Sequence, residues 1–155
     1  MDIRELKYTN LPGPLVNFKT REYVYATVGD FIAHDDEYRD FVIVDEHVAD
    51  VVMRCNSHGI RTYYSCAGHA LDIPGRGIAF DGYISFERKP ILLQMFANSK
   101  YWKLEESVTG LSERHPSYGI YMKNCYDFKS WAKAIKELRY KFSHLTNEFR
   151  QLSPF

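Results

Sequence analysis

The chain has 155 residues, 45% of them apolar, with twenty basic residues against twenty acidic ones and three cysteines. That length predicts a single domain, 1–155, whose core needs no disulfide framework from Cys55, Cys66 and Cys125. The even charge argues against extended nucleic-acid binding, the lack of a long apolar run argues against a membrane span, and a charged amino terminus points to the cytoplasm.

Residues 1–44 read as an arm followed by strands. Leu11-Pro12-Gly13-Pro14 breaks regular structure, so residues 1–20 are expected to be irregular or to form a short edge strand. Glu22 to Val28 alternates as a strand, and Gly29-Asp30 is expected to turn it into a second strand at Phe31-Ile32-Ala33. His34-Asp35-Asp36-Glu37 reads as a solvated loop.

Residues 45–126 read as an α-ββ-α-ββ core. Asp45 is an N-cap, and Val48, Val51, Val52 and Cys55 recur at helical spacing up to the stop at Gly59. Ile60 to Cys66 is a strand rich in Thr and Tyr that ends in the corner Ser65-Cys66-Ala67-Gly68-His69. Asp72-Ile73-Pro74-Gly75-Arg76-Gly77 is a loop placed to act as a lid. Tyr83 to Glu87 is the next strand, Pro90 opens a short helix to about Asn98, and two strands follow at 101–108 and 118–123.

From Asp127 the residues Phe128, Trp131, Ile135, Leu138, Phe142, Leu145, Phe149 and Leu152 step by three and four, which predicts a long helix to 152. A helix of that length spans roughly 36 Å, against a sheet about 20 Å across. The overhang predicts a homodimer through residues 128–152. The expected fold class is α+β, an antiparallel sheet with helices mainly on one face and a long C-terminal helix. An aromatic content of 15%, with twelve Tyr and ten Phe, fits a Tyr-rich sheet under those helices.

The corner carries the chemistry, and its residues admit several readings. Cys55, His58, Cys66 and His69 have the residue types of a zinc site, but the strand between the pairs holds them apart and Cys55 suits the helix core. Cys66 as a catalytic thiol, with His69 as its base, requires a lowered pKa. Period-two alternation places Ile60, Thr62, Tyr64 and Cys66 on one face, and Arg61, Tyr63 and Ser65 on the other. As a ligand cradle, the corner NH groups with Ser65, Gly68 and His69 hold an anion, assisted by Arg61, Arg76 or Arg88. Tyr63, Tyr64 or Tyr83 then stacks on a ring. A structural corner, with Cys66 buried and His69 hydrogen-bonded, is the remaining reading.

Gly59-Ile60-Arg61-Thr62, the Ser65-to-His69 corner and Tyr83-Ile84-Ser85-Phe86 together resemble small proteins of bacteria and their phages that carry Ser-Cys-x-Gly-His in this setting. The motif is also similar to the Ser-Cys-Ser-Gly-Arg signature of the wybutosine-synthesis methyltransferases, which act on tRNA with S-adenosylmethionine. The likeness covers residues 45–88, and His69 stands where that family has Arg. It implies a related α+β scaffold with the corner at its binding site. The function expected on these grounds is a small binding protein for an anionic, nucleotide-like ligand, possessing no resident cofactor and sequestering a host signalling nucleotide if phage-encoded. The alternatives are an RNA- or nucleotide-modifying enzyme, for which zinc or S-adenosylmethionine is the cofactor to test, and an inhibitor that docks on a host macromolecule.

Overall fold

The computed structural model describes residues 6–68, 79–109 and 115–153, without the side chains of residues 108 and 109. Two four-stranded sheets and four helices make a mixed α+β fold among these residues. The elements are β1 (Leu15–Asn17), β2 (Glu22–Val24), α1 (Val28–Ala33), β3 (Val42–Ile43), α2 (Glu46–Ser57), β4 (Thr62–Cys66), β5 (Tyr83–Glu87), α3 (Pro90–Phe96), β6 (Trp102–Thr109), β7 (His115–Met122), α4 (Phe128–Phe142) and β8 (Arg150–Gln151).

The larger sheet has the order β4-β5-β7-β6 and is antiparallel throughout. Antiparallel partners share a face, so Phe86, Tyr118 and Ile84, Ile120 line one side together. That side is buried under α2, α3 and α4, whose Val48, Val52, Leu92, Ala134 and Leu138 belong to the same core. Phe86 stacks on Phe142 at 6.0 Å, and the Trp102 indole donates to the Ala134 carbonyl at 2.9 Å. Each large side chain buried here contributes about 1.5–3 kcal/mol.

The smaller sheet has the order β3-β1-β2-β8. The arm is therefore not peripheral: β1 pairs with both β2 and β3. Val16 joins the main core, while Leu15 and Val24 form a second apolar cluster with Ala26 and Tyr38. One sequence expectation is corrected nearby and one is met. The Phe31–Ala33 segment is helical because the Thr27 side chain accepts from the Asp30 NH at 3.1 Å and caps α1. The 34–37 run is a turn in which His34 Nδ1 lies 3.6 Å from Glu37.

The C-terminal helix is also shorter than its apolar spacing predicts. Asp127 opens α4 with a capping box to Ser130, and the helix stops at Phe142. Arg54 donates to the Ser143 and Leu145 carbonyls at 3.0 and 3.1 Å, and the chain then turns back. Phe149 packs edge-to-face on Phe18, Leu152 joins the second cluster, and β8 runs parallel to β2. Leu145, Phe149 and Leu152 thus continue the spacing in sequence while covering other surfaces of their own chain. Fifteen helical residues span about 22 Å, so the overhang that predicts a partner protomer does not exist. No helix among the described residues is long and apolar enough to cross a membrane.

Candidate functional site

Strand β4 is the edge of the larger sheet, and the corner lies at its end. Its pairing with β5 slips at Tyr63: Thr62 opposes Phe86, whereas Tyr64 opposes Ser85. The extra residue is a bulge, and it overturns the simple alternation. Thr62 and Ser65, opposite Phe86 and Ile84, take the helix-covered side. Tyr64 and Cys66, opposite Ser85 and Tyr83, take the other. Tyr63 stacks on His115 at 5.4 Å, and His115 shares its side of β7 with Ser117, Gly119 and Tyr121, so Tyr63 also reaches that open side.

The corner is tied down from both directions. The Ala67 NH donates to Asp45 Oδ2 at 3.2 Å, and the Ala67 carbonyl accepts from the Trp131 indole at 2.7 Å. Asp45 also caps α2 by accepting from the His47 NH at 3.0 Å, and His47 packs edge-on against Trp131. Gly68 has φ +84°, where an L side chain is strained, and a Cβ there would lie 2.9 Å from the Ala79 carbonyl oxygen. Its NH donates to Cys66 Sγ at 3.3 Å. The NH groups of Ala67 and Gly68 therefore already have acceptors, one of them a carboxylate.

Beside the corner the β4 edge opens on a cleft of about 700 Å³. Tyr63, Tyr64 and Ser65 of β4, with Arg61 just before it, line one wall, and Val42 and Ile43 of β3, with Lys19 in the β1–β2 turn, line the other. The Arg61 guanidinium lies 5.5 Å from the Tyr63 ring centre, and its backbone NH donates to Glu87 at 3.0 Å. The Asn56 carboxamide bridges the Val52 carbonyl and the Thr62 hydroxyl and so holds α2 against the strand. Asp40 is the acidic side chain on the cleft.

The open side of the sheet carries Tyr64, Tyr83 and Tyr121, which are 54%, 38% and 39% exposed. Burial, then the neighbouring Cys66 when ionised, pushes the Tyr83 phenol above its ordinary range. Ser85, between Tyr64 and Gly119 in the register, is only 7% exposed, and its hydroxyl has no hydrogen-bond partner among the described residues. A hydroxyl left so costs about 1–3 kcal/mol.

The expected site residues thus separate into groups. Arg61, Tyr63 and Ser65 meet at the cleft, whereas Cys66 and Tyr83 lie together on the open side. Arg88 is elsewhere, donating to the Ser117 and Ser107 carbonyls and lying over the Tyr118 ring. His69, Arg76 and the 72–77 loop lie outside the described residues. Of the zinc set, Cys55 is fully buried, and burial raises its thiol pKa. His58 Nε2 is 2.6 Å from the Thr146 carbonyl oxygen. No group of three or more potential ligands is gathered among the described residues. Lys19, Ser85, Gly119 and Tyr121 escaped the sequence reading. Only the alternation Ser117, Gly119, Tyr121 signalled any of them. Comparisons with family models, with curated proteins and with solved structures find no match to this chain.

Proposed function

We propose that this protein binds a small anionic, nucleotide-like ligand at the β4 edge. The cleft carries the reading: it joins Arg61, just before β4, and Lys19, in the β1–β2 turn, with Tyr63, Tyr64 and the Ser65 residue. About 700 Å³ falls within the range of small-ligand sites. Arg61 and Lys19 hold the anionic group by charge-assisted hydrogen bonds, and the tyrosines at the rim supply a stacking surface. The anion sits here rather than in the corner, where the Asp45 carboxylate already occupies the Ala67 NH. Such a site suits sequestration of a signalling nucleotide.

Calorimetric titration with ADP tests it. Arg61→Ala and Lys19→Ala should each lower affinity about tenfold or more, the worth of a charged hydrogen bond. Unchanged affinity in both variants contradicts the assignment. Cys66→Ser separates binding from thiol chemistry, because charge and stacking need no sulfur and binding should survive it.

A further inference from the structure

The cleft leaves the open side of the larger sheet unexplained. Two rows cross that side in register. Tyr64, Ser85, Gly119 and Glu105 form one, and Cys66, Tyr83, Tyr121 and Lys103 form the next. Ser85 and Gly119 are thus a floor of small residues beside three tyrosines. The floor is buried but not fully satisfied. The Ser85 hydroxyl is buried without a partner among the described residues, whereas nearly all buried polar groups have one.

Gly119 accounts for what lies over it. A Cβ at this position would come within 2.7–2.9 Å of the Tyr121 hydroxyl and the outer ring carbons, so the ring rests directly on the glycine. Those atoms are the far end of a side chain that can swing away. Tyr83 and Tyr121 stand 6.5 Å apart at a tilt of 31°, so their rings are not stacked face to face. The cation within these rows is paired, since Lys103 lies 2.9 Å from Glu105, and Glu87 at the far end of β5 lies 3.6 Å from Lys89. A phosphate chain needs a surplus of cations, which these pairs do not supply.

We propose that this side of the sheet is a second binding site, for a neutral planar ring with a hydrogen-bonding edge, of the nucleobase class. The ring takes the Ser85–Gly119 floor, moves the outer end of Tyr121 off the glycine and stacks against the tyrosines. Its polar edge gives the Ser85 hydroxyl a partner, and a hydroxyl can serve as donor or acceptor. The site differs from the cleft in place and in charge. Tyr63 and Tyr64 border both.

Adenosine, which carries the ring without the phosphate, is the probe. It is titrated to millimolar concentration while the aromatic NMR signals of Tyr64, Tyr83 and Tyr121 are followed. Saturable shifts of these signals are expected. Ser85→Ala should weaken binding roughly three- to tenfold, the net worth of a hydrogen bond. Tyr83→Ala should abolish it, and Arg61→Ala should leave it unchanged, which keeps this result independent of the cleft. Three outcomes overturn the proposal: no saturable shift, equal affinity in Ser85→Ala, or tyrosine shifts that follow protein concentration without adenosine, which would mark a contact between copies of the chain.

Discussion

The two sides of the larger sheet are made by the same strands, yet they differ in what they leave unsatisfied. On the helix side Ile84, Phe86, Trp102 and Ile120 are fully buried, and the Trp102 and Trp131 indoles both reach backbone carbonyls. On the open side the tyrosines are 38–54% exposed and the Ser85 hydroxyl has no partner among the described residues. Alternation along each strand assigns one set of residues to stability and the other to contact. The bulge at Tyr63 moves Cys66 from the first set to the second.

Mutations on the two sides should therefore separate cleanly in size. Phe86→Ala, which removes a fully buried ring against Phe142, should cost about 3–5 kcal/mol in urea unfolding. Trp131→Phe keeps the ring but strands the Ala67 carbonyl, and should cost about 1–3 kcal/mol. Its effect should be concentrated at the corner, read as faster amide exchange at Ala67 and Gly68. Tyr64→Ser and Tyr83→Ser should each change stability by no more than about 0.5 kcal/mol, as for other surface positions. Ser85→Ala should be neutral or slightly stabilising, because it deletes a buried hydroxyl that has no partner among the described residues. If Tyr83→Ser unfolds the protein as readily as Phe86→Ala does, the two sides do not divide as described.

Much of this arrangement is legible in local sequence. The Asp45 cap, the Val48–Val51–Val52–Cys55 stripe, the Gly59 stop, the Pro90 helix start and the antiparallel α+β layout all correspond to the structure. Local signals fail where a distant partner decides. The 145–152 spacing looks helical, but Arg54 takes the last carbonyls of the turn and β2 recruits residues 150–151 as a strand. The Val28–Ala33 helix rests on one Thr27 cap that strand-like alternation obscured.

The candidate site divides on the same physical line. Arg61, Tyr63, Tyr64 and Ser65 are neighbours along the chain, at and just before β4, so their grouping is visible in the sequence. Lys19 and Val42 join them only because β1 and β3 bring the smaller sheet to the opposite wall. No periodicity reports that pairing. The bulge is equally silent, since nothing in Thr62-Tyr63-Tyr64 says which residue β5 leaves unmatched.

The most direct measurement is an amide NMR map of the ¹⁵N-labelled protein titrated with ADP. Binding at the β4 edge predicts saturable shifts concentrated at residues 17–19, 42–44 and 61–65, the two walls of the cleft. These should be lost in Arg61→Ala. Shifts confined to another surface, or none at millimolar ADP, would contradict it.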